Sequence, residues 1–581
     1  MRIIIISVLF SFGSLAYLSI STTGALNQAV AKADLLRYKK RVAVSCAVNL
    51  ASLNLDDTAS AIPLLTGWGH YHMQVTTPSD SADIYFQQGI NLYYGFHVIE
   101  ALASFSKSIL FDSSFAMGYW GKALAYGPNI NDFGYTASPD ALLAKEKAKA
   151  LSGTCKPVEK ALIDAMQPRY SPDSTQTRET LNQRYVDAMK TVHEQFAENT
   201  DVTVLYADAL MQQHPWDLYD SHGKPKTWTP LIVTTIETAL KQNPNHPGAG
   251  HYYIHAIEAS DHPEKGLAVA RKLPQLMPGV SHVVHMPAHI FIRSGYYKKG
   301  VDVNEEAVKG YYNYLSKYPA VANNAPLYLL HNLHMQATCA NMDGRFDYAM
   351  KVSMDCRSSF DSSWLSIPDY PGIFIQYFYM TPWLTEIRFG KWDEMLKEPP
   401  VSTSYVYANL LWHYGRGLAF ARKHRFDEAM QELATVQAGL KSDQLKAPAP
   451  AYANPGINGA RVAEKILMGV MEEEKNNFTA AIQLLKEAVE LEDAMIYNEP
   501  KDWVHPVRQY LGSVLLKNKQ YVQAVKVFKE DLAINPNNGW SLNGLATAYE
   551  KAGDKKAATI AKIKATTAFA RSDMHNPQPV F

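Results

Sequence analysis

Residues 82–114 read ADIYFQQGINLYYGFHVIEALASFSKSILFDSS. Gly89, Ala101 and Phe105 stand at offsets of twelve and then four. That spacing sets a small residue on one helix against a small residue and an aromatic on the next, across a hairpin whose turn falls at His97. The same ladder returns as Gly417, Ala429 and Leu433, as Gly469, Ala481, Leu485 and Ala488, as Gly512, Ala524, Phe528 and Pro536, and as Leu545, Ala546, Tyr549 and Ala558. Small residues recur because two helices of a hairpin approach closely there. No β pattern is sustained anywhere, so the fold expected is all-α.

A small residue in the first helix, with a small residue and an aromatic in the second, is the tetratricopeptide pattern, whose unit is 34 residues. The prediction is a tetratricopeptide-like superhelix of helical hairpins, an α-solenoid. Its middle keeps the phase more loosely: Ala256 with Ala268, Ala288 with Gly300, and Ala337 with Ala349, with Gly295 and Gly344 at the turns. Three insertions rich in Pro, Gly, Asp and Ser, starting at Pro215, Ser358 and Lys446, read as loops that cover a groove. The expected division is a signal peptide over 1–25 and an N-terminal extension over 26–80. A superhelix follows over 81–443, with histidine-rich hairpins at 246–340, then a Pro-rich loop over 444–460 and C-terminal repeats over 461–572.

Composition sets bounds on function. Of 581 residues, 47% are hydrophobic and 19% charged, the profile of a folded chain. Lys plus Arg and Asp plus Glu both number 56, so no net field recruits nucleic acid or an anionic membrane. Arg2, the apolar run Ile3 to Ile20 and the small residues Thr23, Gly24 and Ala25 form an export signal. Cleavage after Ala25 would leave no membrane span; without it the run is a single N-terminal anchor. Either way the remainder is expected in the periplasm or outside the cell. Cys46, Cys155, Cys339 and Cys356 are an even number in an oxidising setting, and no Cys-x-x-Cys pair occurs among them.

Between His246 and His334 lie nine of the nineteen histidines. His251 with His255, His285 with His289, and His331 with His334 are pairs at helical spacing, each sharing one helix face. Repeat phasing puts all six on the first helices of consecutive hairpins, facing the concavity. Imidazoles with few carboxylates suit zinc, copper or iron. Glu258, three after His255, is the nearby carboxylate, a ligand or a proton acceptor; Arg293, four after His289, is placed to hold an anionic group. His246, His262 and His282 read as turn residues or caps. His413 and His505 fall on other inner helices.

The stretches QGINLYYGFHVIEALASF, GYWGKALAYGPNIN, HPGAGHYYIHAIEAS, HMPAHIFIRSGYY and HNLHMQA resemble a family of large exported bacterial tetratricopeptide proteins. The resemblance covers most of the chain after Ser60. It implies the helical-repeat fold and an extracytoplasmic setting, and brings no established reaction. Its histidine pattern matches at 251, 255, 285, 289, 331 and 334. Relatives carry Cys-x-x-Cys before Tyr-Trp-Gly where this chain has Phe115 and Gly118, so a redox role for that pair does not transfer.

Three readings follow. The first is a transition-metal site on the concave face; were the protein an enzyme, the metal would activate water or oxygen, with Glu258 as proton acceptor and Arg293 as substrate anchor. The second is an adaptor binding a peptide or protein partner in the groove, its histidines structural. The third is a pH-sensitive polar network without metal.

Overall fold

A computed structural model of the chain describes residues 59–131, 139–318, 325–450, 453–575 and 577–581. The expected signal peptide and Cys46 lie outside the described residues. Twenty-six α-helices run through those residues, and no strand is formed among them beyond one isolated bridge between Tyr219 and Pro225. No described helix is long and apolar enough to cross a membrane.

The helices form consecutive antiparallel hairpins of tetratricopeptide type. First helices are buried on several sides and second helices on one. Twelve residues are buried in the nineteen-residue helix Gly456–Glu474, four in its partner Phe478–Asp493. All eleven are buried in Pro247–Ile257, only Ala270 and Leu273 in Leu267–Leu276. An inner helix packs against its own partner and both neighbours, whereas an outer one shows its polar face to water.

The ladder of small residues is visible as side-chain contact. A Cβ built on Gly512 would lie 2.5 Å from the Phe528 ring, and one on Gly544 in the next unit 2.3 Å from it. Phe105 fills the same role between Gly89 and Gly121. Gly512→Ala therefore forces a fully buried ring out of its slot. The expected loss is about 1–3 kcal/mol, measurable as a lowered denaturation midpoint; an unchanged midpoint would mean that the hairpin contact is looser than described. Gly295 and Gly344 end inner helices at φ of +74° each, the left-handed turn conformation that glycine adopts without strain.

The superhelix curls until its end meets its middle. The Trp540 indole donates to the Asn341 carbonyl at 3.1 Å, Arg571 pairs with Asp343 at 2.6 Å, and Tyr297 donates to the Pro536 carbonyl at 3.0 Å. The Asp573 carboxylate accepts from the Phe346 and Asp347 amides at the start of Phe346–Ser358, a helix N-terminus held by a residue over two hundred positions away.

Several boundaries shift. Within the N-terminal extension, Met73 and Gln87 exchange two bonds of 2.9 Å, so the described part straps the first hairpin. The insertion from Ser358 is partly helical: Ser362–Ser366 forms a 3₁₀ turn and Asp369–Tyr379 an α-helix, because Pro371 in the first turn has no amide to waste. Helix Gly456–Glu474 starts inside the expected Pro-rich loop, directly after Pro455. Cys155, Cys339 and Cys356 are all buried free thiols.

Candidate metal centre

Four consecutive inner segments deliver the histidines. His251 and His255 lie on Pro247–Ile257, His282 and His285 on the short helix Ser281–His285, His289 on Pro287–Arg293, and His331 on Ala325–Met342. Pro287 breaks the hydrogen-bond ladder between the two middle helices, but Met286 keeps helical dihedrals, so His285 and His289 remain on one face.

Two histidine triads result, His251–His255–His282 and His285–His289–His331, each with ligand-type atoms mutually within 4.8 Å, and His255, Glu258 and Glu499 form a third group at that spacing. In the first, the Nε2 of His251 lies 3.1 Å from that of His282 and 3.2 Å from that of His255. In the second, the Nε2 of His289 lies 2.7 Å from that of His285 and 3.4 Å from that of His331. The rings of His255 and His289, one from each triad, are 6.2 Å apart.

The opposite ring nitrogens decide what those approaches mean. His251 Nδ1 lies 2.6 Å from the Tyr94 carbonyl and His255 Nδ1 2.8 Å from Glu258 Oε1. His285 Nδ1 lies 2.5 Å from Asn304 Oδ1, whose amide nitrogen is engaged by the Gly300 carbonyl. His289 Nδ1 sits 2.8 Å from Glu258 Oε2 and 2.9 Å from Glu499 Oε2. Each partner is an acceptor, so each of these four Nδ1 atoms carries a proton; the Nε2 atoms of His251, His255 and His285 then present lone pairs inward, and that of His289 does so once its second proton is given up. Neutral His251 and His255 then face each other lone pair to lone pair, and a proton from His282 can relieve only one of the two contacts. An ion with about 2.0–2.1 Å bonds sets tetrahedral nitrogens about 3.3 Å apart. The donor set and its spacing therefore fit a metal ion, and the acceptors behind it are the outer shell such ligands require.

The setting keeps the imidazoles neutral. Burial, then neighbouring imidazoles, hold His251, His282, His285 and His331 well below the ordinary histidine range; burial alone takes the leading part in pushing His255 down to about 3. His289 differs. Burial opposes its charge, but Glu499 and Glu258 outweigh burial and push it up to about 10, while burial and Glu258 push Glu499 up to about 7. Without an ion, a single proton on His289 can bridge to His285.

Apolar rings wall the first triad. Phe96 lies 4.4 Å from His251, Trp216 5.1 Å from His255 and Tyr328 4.4 Å from His282, measured between ring centres. Trp216 belongs to the insertion expected to cover a groove, and its indole donates to Asn131 at 3.1 Å. His331, at 22% side-chain exposure, is the open edge.

Of the expected site residues, five come together: His251, His255, His285, His289 and His331. His334 does not. Its ring packs on Tyr377 at 4.9 Å and Phe378 at 5.2 Å, against the next inner helix Asp369–Tyr379 and not against the cluster. His282 takes the sixth place, against its reading as a turn residue; its three-residue spacing to His285 was the available signal. His246 caps Pro247–Ile257 through Nδ1 as expected. His97 stands at the cap position of Val98–Phe111 without capping it, and lies instead 3.5 Å from Glu100. His413 pairs with Glu432, and His505 lies against Trp503, outside both triads. Glu258 is in place, but its oxygens face two Nδ1 atoms. Arg293 donates to the Ser260 carbonyl at 2.8 Å and stacks on Tyr497. Glu499 and the Tyr94 carbonyl carried no spacing signal, since each comes from a distant hairpin; Asn304 comes from the partner helix Tyr297–Lys317 of the same hairpin.

Hairpin ladder, inner and outer helices and buried cluster together define a tetratricopeptide-type α-solenoid built around six converging imidazoles. No protein-family model matches the chain, and no curated protein matches it in sequence. Among solved structures it is similar to the human IFIT1 dimer with m7Gppp-AAAA, at 11% identity over 88% of this chain and 99% of that one, with a TM-score of 0.30. Yeast Tom70 is 11% identical over 85% of this chain and 91% of that one, with a TM-score of 0.28. Cut9 with Hcn1, from the APC/C, is 13% identical over 85% and 88%, with a TM-score of 0.27. Likenesses at these scores say nothing of what this chain binds.

Proposed function

We propose that the protein is an exported repeat scaffold that holds two transition-metal ions, one at His251, His255 and His282 and one at His285, His289 and His331. The observation that carries this reading is the inward convergence of six imidazoles, four of which (His251, His255, His285 and His289) meet an acceptor at Nδ1. Six imidazoles with no carboxylate among the innermost donors suit copper or zinc better than iron, which helical proteins hold largely with carboxylates. Glu258 then orients ligands instead of accepting protons, because each of its oxygens faces an imidazole nitrogen. The adaptor reading needs an open groove, and at the cluster the chain's own Trp216 and Glu499 occupy that space.

Elemental analysis of protein purified from its native compartment tests the proposal, with two copper or zinc ions per chain expected. His282→Ala should reduce the content to one, whereas His334→Ala should leave it at two. Essentially no transition metal, with stability unchanged by His255→Ala plus His289→Ala, would overturn the reading in favour of a metal-free polar network.

A further inference from the structure

Beyond the cluster, a cavity of about 590 Å³ lies between the loop at Asp220, the end of Pro287–Arg293 and the segment Glu492–Trp503. That volume falls within the range of small-molecule sites. Its walls are charged, and the charges can be accounted for one at a time.

Each lining carboxylate has a partner. Asp493 receives two bonds of 2.7 Å from Arg508, and Asp261 pairs with Lys224 at 2.5 Å. Asp531 accepts from Gln509 at 3.0 Å, Asp502 from Asn454 at 2.7 Å and Glu492 from the Val507 amide at 3.0 Å. Asp220 accepts from the His222 and Lys224 amides, both at 2.9 Å, and Glu264 lies 3.1 Å from His262.

Two lining cations are left under-partnered among the described residues. Arg293 makes one bond, to the Ser260 carbonyl, and its Nε is buried with no partner. Its guanidinium lies 5.3 Å from the centre of the Tyr497 ring. Lys501 makes no side-chain hydrogen bond and no direct ion pair among the described residues; burial first, then Arg293, pushes it down to about 8, with Glu492 and Asp531 opposing through space. Glu492 and Asp531 offset part of the cost of this cation pair through space, and an anion seated directly between Arg293 and Lys501 would offset more of it.

We propose that this cavity binds a small molecule through one carboxylate held between Arg293 and Lys501. The guanidinium offers the planar fork that a carboxylate matches, and the ammonium a point charge beside it. Seven carboxylates against the three cations Arg293, Lys501 and Arg508 repel further negative charge, so a monocarboxylate is preferred over a dicarboxylate or phosphate. Tyr497 separates this chamber from the histidines: its ring carries Arg293, and its hydroxyl faces Glu258. Carboxylate binding does not require an ion at the cluster.

Calorimetric titration of the full chain with propionate, succinate and inorganic phosphate tests the proposal, with metal content measured on the same samples. Saturable propionate binding is expected, at least tenfold weaker in Arg293→Gln and in Lys501→Met, with Lys501→Arg restoring it and metal content unchanged throughout. Succinate and phosphate should bind more weakly than propionate. No saturable propionate binding by the wild-type chain, equal binding by wild type and both charge-removing variants, or a preference for phosphate overturns the proposal. Propionate binding in a chain that proves free of metal would leave this chamber standing while removing the metal reading.

Discussion

Between pH 6.5 and about 5 the metal-free protein is expected to lose its helical signal steeply, as circular dichroism followed against pH would show. His334 and His505 are both buried outside the triads; burial pushes each down to about 3, with Arg388 adding to the effect at His505. Unfolded, each titrates near 6.5. Within that window the unfolded chain binds more protons, so their contribution is complete above pH 6.5 and is lost as the pH falls. Each removes about 1.4 kcal/mol per pH unit, and the two together roughly 3 kcal/mol. His251, His255, His282, His285 and His331 shift in the same direction. His289 acts in the opposite sense, since it is pushed up to about 10; its contribution is already complete below pH 6.5 and offsets nothing in the window. Glu386, Glu492, Glu499 and Asp502 also act in the opposite sense, because burial pushes them up to about 8, 7, 7 and 6 and the folded chain holds more of their protons than the unfolded chain in this window. The imidazoles outnumber them, so against a total stability of about 5–15 kcal/mol the net slope still carries the chain towards unfolding near pH 5. Ions on the Nε2 atoms would exclude protons and move the midpoint downwards. A metal-free chain that stays folded at pH 4 would mean that these imidazoles meet water.

The fold was legible because tetratricopeptide packing is local. Gly512 meets Phe528 within one hairpin, so the offset of sixteen that brings them together is printed in the sequence. The pairs His251 with His255 and His285 with His289 were legible for the same reason, each spanning about one helical turn of local sequence. Local periodicity does not determine which neighbour completes a site. His282 and His334 are each three residues from a cluster member, on opposite sides of it, and only the angle between adjacent inner helices admits the first and turns away the second. Glu499 arrives from a hairpin more than two hundred residues downstream of His289. It reaches the cluster because the superhelix curls until the segment before Val507–Lys517 faces Pro287–Arg293, and curvature sums small rotations that no single repeat reveals. The chamber beside Arg293 was hidden for the same reason. Arg293 was legible as a cation four residues from His289, but Lys501, its neighbour there, comes from that same distant segment.

Glu258→Ala is expected to weaken the ion at His251, His255 and His282 by about 10- to 100-fold, the usual effect of losing a partner behind a ligand, and to weaken the other ion less. Among the described residues Glu258 is the acceptor at His255 Nδ1, at 2.8 Å. Without it that ring is free to move its proton to Nε2, which turns a lone-pair donor into an N–H facing the ion. His289 Nδ1 keeps a second acceptor, Glu499 Oε2 at 2.9 Å, so its tautomer survives the single change. Removing both carboxylates, as Glu258→Ala with Glu499→Ala, takes the last acceptor from His289 as well, and both ions should then be lost to a chelator that leaves the wild type loaded. The asymmetry separates two roles that a plain loss of affinity would merge. Were the carboxylates only compensating metal charge through space, one substitution would weaken both ions about equally, since Glu258 lies within 2.8 Å of a ligand ring in each triad. Competition titrations that resolve the two ions decide between these outcomes: unequal losses on the single substitution support tautomer control, and equal losses, or losses below about threefold, refute it.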